Sequence, residues 1–95
     1  MELVVEHFAE GNHGTFLIMQ AGQRVGEMTY RKESVSLAII DHTEVTPSLR
    51  GGGVARKLLD AAVQWARDNH IRLGATCSYA VVQFARDPSI QDVRG

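Results

Sequence analysis

The run Arg50-Gly51-Gly52-Gly53 divides the chain into two halves with different periodicities. After it, Val54, Leu58, Ala61, Ala62 and Trp65 fall at i, i+4, i+7, i+8 and i+11, the spacing of one helical stripe. Arg56, Lys57, Asp60, Gln64, Arg67 and Asp68 fill the other faces, and Asn69 suits a helix stop. Before the run, the sequence reads as strands and turns. Residues 3–8 are β-rich, and residues 10–14 carry turn chemistry. Residues 15–19 make a second strand, and the tight connection at 20–23 fits a hairpin. Residues 24–30 alternate weakly, with Val25 and Tyr30 on opposite parities, so Gly26 is a candidate bulge. Residues 31–34 read as a polar turn, and residues 35–45 as a longer strand centred on Leu37-Ala38-Ile39-Ile40. Pro47 and Ser48 break it.

Beyond the helix, residues 71–76 read as a fifth strand, so strand, crossover helix and strand form a right-handed βαβ unit. Residues 79–86 suggest a short helix, ended by Asp87-Pro88, and residues 90–95 a loose tail. The predicted fold class is α+β. It has an antiparallel four-strand meander, a fifth strand parallel to the fourth, and a short C-terminal helix. Ninety-five residues suffice for a single domain spanning 1–95, with one modest core. Hydrophobic residues at 44% and charged residues at 22% exclude a disordered, collagenous or coiled-coil chain.

The net charge of −1 argues against wholesale polyanion binding. Its distribution is uneven: residues 1–45 hold seven acids and three bases, residues 46–95 four acids and seven bases. An anionic ligand is better placed in the second half. A nucleic-acid partner would have to rest on that basic half alone, and none is expected. The lone Cys77 fits a reducing compartment. The start carries no basic, apolar leader pattern, and no apolar stretch approaches the roughly 20 residues of a membrane span. These features predict a cytoplasmic protein.

Consecutive glycines let backbone take positive φ and approach a ligand without Cβ interference. A helix start adds unpaired N–H groups and partial positive charge. Together they form a cradle for phosphate or pyrophosphate, with Arg50 at its rim. The alternative is a sharp turn that binds nothing. The P-loop pattern fails because Leu58 follows Lys57, and the dinucleotide pattern fails because Arg56 takes the place of its last small residue.

The loop does satisfy R-x-x-G-x-A, as Arg50, Gly53 and Ala55. With the meander before it and helix and strand after it, it resembles the pyrophosphate-binding motif of the GNAT acyl-CoA-dependent acyltransferase superfamily. Asp41-His42-Thr43-Glu44-Val45, the loop, and Cys77-Ser78-Tyr79-Ala80, in that order, are similar to a small single-domain branch of that superfamily. The resemblance spans roughly residues 14–88. It implies that the backbone of the Thr43–Val45 strand holds the pantetheine arm of acyl-CoA. It also implies that N–H groups of Gly51, Gly52, Gly53, Val54, Ala55 and Arg56 hold the pyrophosphate, and that the strands carrying Val45 and Cys77 splay to admit the thioester. The implied cosubstrate is acetyl-CoA or another acyl-CoA, with no metal; no His/Cys/Asp spacing suggests one. The implied acceptor is an unidentified amine. Longer members carry helices between their first two strands. Ala9 to Gly14 leaves no room for them, so an open acceptor side is expected, suited to a bulky substrate or one completed by a protein partner.

Amine acylation needs a deprotonated nucleophile, an oxyanion stabiliser and a proton for the leaving thiolate. Cys77, before a possible helix start, could attack as a thiolate and form an acyl-cysteine, or be an inert buried thiol. Tyr79 could protonate the departing thiolate, or simply pack. His42 or Glu44 could take the amine proton; an imidazole is the better-tuned base near neutral pH, although His42 could merely orient the strand end. His7, His13 and His70 read as surface or core residues, and Trp65 as core. The expected activity is acyl-CoA-dependent N-acyltransfer. The alternative is a non-catalytic acyl-CoA-binding or protein-interaction module.

Overall fold

The alternating first half forms four strands in the computed structural model, which describes residues 3–95. They are β1 (Val5–Glu10), β2 (His13–Gln20), β3 (Gln23–Ser34) and β4 (Leu37–Val45), each antiparallel to the next. Helix α1 (Val54–Asn69) then crosses over, and β5 (Arg72–Ala75) pairs parallel with β4. The sheet order is β1-β2-β3-β4-β5. Helix α2 (Ser78–Arg86) and a 3₁₀ segment, Pro88–Val93, complete the fold. This is the architecture expected from the sequence.

Two bulges set which side chains face the core. In the β2–β3 ladder Ile18 pairs with Gly26 and Met19 with Arg24, which leaves Val25 as the extra residue. That one residue reconciles the parities, because Val25, Met28 and Tyr30 are all buried. The bulge therefore lies beside Gly26 rather than at it. In the β3–β4 ladder Thr29 pairs with His42 and Tyr30 with Ile40, so Asp41 is the extra residue. Before Asp41 the inward residues of β4 are Ala38 and Ile40; after it they are Thr43 and Val45, opposite Met28 and Gly26.

The polar stretch 31–34 is strand, not turn: Arg31 pairs with Ile39 and Lys32 with Ala38, and the chain reverses at residues 35–36. Backbone pairing does not require apolar side chains, and the Arg31 guanidinium reaches Asp41 and Glu33 on the sheet surface.

Helix α1 buries Val54, Leu58, Leu59, Ala62, Val63 and Ala66. The apolar stripe is thus wider than expected and centred away from Ala61 and Trp65, which are half-buried, because the helix lies flat on a broad sheet. Contact is close at Gly26, where a Cβ would come within 2.7 Å of Val54 Cγ1. Arg56 ties α2 to the same side: its guanidinium donates to Gln83 Oε1 at 2.7 Å and to Asp87. The expected loose tail is instead docked. Ile90 and Val93 enter the core, Arg67 clasps Asp92 at 2.8 and 2.9 Å, and Gly95 N donates to Leu73 O along the outer edge of β5. Among the described residues, no helix covers the opposite face of the sheet. Its residues Phe8, Thr15, Leu17, Thr29, Ile39 and His42 are all partly or fully exposed.

Candidate functional site

Strands β4 and β5 part company early. Their ladder ends at Ile40 opposite Ala75, and the N–H groups of Thr76 and Cys77 both turn back to Ile40 O, at 2.9 and 3.3 Å. Two local causes act together. The Asp41 bulge bends β4, and Cys77 is the N-cap of α2, so the chain leaves the sheet there. Beyond the fork, the β5 side of Thr43–Val45 has no strand partner among the described residues.

A groove of about 550 Å³ opens beside the fork, lined by Thr43, Glu44, Val45, Arg50, Gly51, Ala55 and Tyr79. Gly51 and Gly53 hold φ of +83° and +86°, the left-handed region that favours glycine. Gly53 is the N-cap of α1, and among the described residues no side chain caps the helix start, whose first turn also lacks an acid. Uncapped N–H groups and the positive end of the helix dipole therefore meet the groove. Arg50 Nε donates to Val45 O at 3.2 Å, which pins the loop to the end of β4 and leaves the exposed guanidinium at the rim. The Arg56 side chain is engaged elsewhere, with Asp60, Gln83 and Asp87, so it offers the groove its backbone only. Hydrogen bonds from Ser89, and then Arg56, hold the Asp87 carboxyl down at about 2. A chain of N–H donors without Cβ obstruction is what a pyrophosphate requires, so these residues fit the anionic part of a CoA thioester.

Cys77 is half-buried beside Thr43, which lines the groove, but is not itself a lining residue. Its Sγ is 3.2 Å from Thr43 Oγ1 and accepts from Ala80 N at 3.4 Å. Ala80 N–H thus donates to the sulfur, while either atom of the Thr43–Cys77 pair can be the donor. The Tyr79 hydroxyl makes no hydrogen bond among the described residues, and burial pushes its pKa up, so it is a phenol at neutral pH. His42 and Glu44 alternate with Thr43 and Val45 and so lie on the helix-free face, 3.6 Å apart from each other. Cys77 and Tyr79 thus lie on the helix side and His42 on the bare side, while Glu44, beside His42, also lines the groove with Tyr79.

The other histidine with a defined setting, His7, is far from this site. It bonds Tyr30 OH at 2.8 Å and stacks on Phe16 with ring centroids 4.2 Å apart. Two site features have no local sequence signal. The Thr43 side chain reaches Cys77 only because the Asp41 bulge reverses the parity of β4. The Arg56–Asp87 contact joins residues that only the crossover brings together.

The sequence model of the GCN5-related N-acetyl-transferase family matches residues 15–93. Among solved structures, a GCN5-like protein from Staphylococcus aureus, determined in solution by NMR, is 36% identical with a TM-score of 0.75, covering 95% of this chain and 87% of that one. The aminoglycoside N-acetyltransferase AAC(6')-Iy in complex with CoA is 21% identical with a TM-score of 0.63, covering 80% of this chain and 67% of that one. The ribosomal-protein-S18-alanine N-acetyltransferase from Escherichia coli is 15% identical with a TM-score of 0.68; the match covers 81% of this chain but only 52% of that one. The last two are likenesses of fold. No curated protein matches the sequence.

Proposed function

The chain belongs to the GCN5-related N-acetyl-transferase family, and from that premise we propose that it transfers an acyl group, acetyl in the first instance, from acyl-CoA to an amine. The observation that carries this reading is the groove, which runs from the uncapped start of α1 to Tyr79 and to Thr43, the residue in contact with Cys77. Gly51 through Arg56 bind the pyrophosphate, the open edge of β4 at Thr43 and Val45 receives the pantetheine amides, and the thioester reaches the fork.

The arrangement around Cys77 favours a covalent route. The Cys77 thiolate attacks the thioester carbonyl, the bond from carbon to the CoA sulfur breaks, and Tyr79 gives its proton to the departing thiolate. An uncharged amine then enters from the bare face and attacks the acyl-cysteine carbonyl. Its proton passes to His42 or Glu44. The carbon–Sγ bond breaks, and the Cys77 thiolate leaves with Thr43 Oγ1–H and Ala80 N–H again donating to it. His42 or Glu44 releases the amine proton to solvent and Tyr79 recovers one from it, so the sum is acyl-CoA plus amine giving amide plus free CoA.

Intact-mass spectrometry after incubation with acetyl-CoA alone tests the route. One added acetyl group, absent in Cys77→Ala, is the expected result. Unmodified protein that still acetylates an amine library would replace it with direct transfer. Tight acetyl-CoA binding without transfer to any amine would leave a non-catalytic acyl-CoA-binding module.

A further inference from the structure

The helix-free face of the sheet has a composition that selects its partner. Its centre is apolar or neutral: Phe8, 56% exposed, and Thr15, Leu17, Thr29 and Ile39. Its rim is acidic. Arg24 pairs with Glu27 and Arg31 with Asp41, but Glu6 and Glu10 have no partner among the described residues, and Glu44 has only His42. The face ends at the fork, on the side that His42 and Glu44 occupy.

We propose that this face docks a cationic amphipathic helix of an acceptor protein and delivers an amine of that protein to the fork. The inference rests on the acyltransfer reading and names its substrate class. Four considerations single out this occupant. A sheet face with an apolar centre is ordinarily covered by a helix with an apolar stripe. The unpaired carboxylates call for lysine or arginine beside that stripe, whereas nucleic acid, an anionic membrane or a second copy of this face would bring like charge against like. Length also fits: three strand spacings of about 4.8 Å put β1 about 14 Å from β4, and about ten helical residues span that distance. A helix resting on Phe8 and Leu17 at one end thus reaches His42 and Glu44 at the other. The two-residue β1–β2 turn leaves no segment between those strands to cover the face instead.

The test is an NMR titration of the full chain with an amphipathic leucine–lysine helical peptide, a leucine–glutamate counterpart, and spermidine. The lysine peptide should shift the amides of Phe8, Leu17, Thr29 and Ile39. Its affinity should fall about tenfold or more in the double variant Glu6→Lys/Glu10→Lys, which should bind acetyl-CoA as the unaltered chain does. Absence of binding, shifts confined to other surfaces, or equal affinity in the double variant would overturn the proposal. So would equal affinity for the glutamate peptide, spermidine binding as tight as the lysine peptide, or a dimer in sedimentation that closes this face. If acetyl-CoA fails to bind while the lysine peptide docks as described, the acyltransfer reading fails and the docking surface stands.

Discussion

Thr43 Oγ1 lies 3.2 Å from Cys77 Sγ, a contact that joins the inner face of β4 to the N-cap of α2 just past the point where β4 and β5 separate. A hydrogen bond to a charged group contributes about 1.5–3 kcal/mol. Thr43→Val should therefore slow acylation of Cys77 by about 10- to 100-fold, with acetyl-CoA affinity nearly unchanged. Time-resolved intact-mass spectrometry reads the rate. An unchanged rate would remove Thr43 from the chemistry.

Arg50 is exposed at the groove rim and tied to Val45 O. Arg50→Ala should weaken acetyl-CoA binding, and the deficit should shrink as salt rises, because charge pairs at the surface are screened over about 10 Å at 0.1 M. Calorimetric titrations at low and high salt measure both. A deficit independent of salt would mean that Arg50 acts by shaping the loop rather than by its charge.

Asp87 has a folded-state pKa of about 2 against an ordinary 3.8, set by Ser89 and then Arg56. Its unfolded form takes up a proton first as pH falls. The stability it contributes is therefore complete above 3.8 and is lost as pH descends toward 2. Asp87→Asn should flatten that part of the urea-midpoint profile. A profile as steep as that of the unaltered chain would assign the acid sensitivity elsewhere, Asp92 beside Arg67 being the next carboxylate held low.

Burial lowers the pKa of His7, which sits against Tyr30, Phe16 and Trp65. Above 6.5 the imidazole is neutral in both folded and unfolded chains. As pH falls below 6.5 the unfolded chain binds the proton first, so stability declines until the folded pKa is reached. The melting temperature should drop as pH falls below 6.5, and His7→Phe should reduce that drop. An undiminished drop in His7→Phe would contradict the assignment.

What the sequence made legible follows from periodicity. The change from period two to period 3.6 at the glycine run placed the meander, the crossover and the parallel fifth strand. The glycines themselves announced positive φ at Gly51 and Gly53. Single-residue insertions were only partly legible: the opposed parities of Val25 and Tyr30 pointed to a bulge one residue away, at Gly26, but nothing at Asp41 marks one, yet each reverses the facing of every residue beyond it. The Asp41 bulge decides that Thr43 meets Cys77 while His42 and Glu44 look the other way. The tail misled because residues 90–95 read as loose, whereas Ile90 and Val93 are the two side chains that dock.

The central claim is that the uncapped start of α1 is the anion-binding half of an acyl-CoA groove, and calorimetric titration with acetyl-CoA tests it most directly. Gly53 holds φ of +86°, which costs a β-branched residue about 1–2 kcal/mol and displaces the loop. Saturable one-to-one binding, weakened about tenfold or more in Gly53→Val and retained in Cys77→Ala, is the predicted result. No heat of binding up to about millimolar acetyl-CoA, or equal affinity in Gly53→Val, would contradict it.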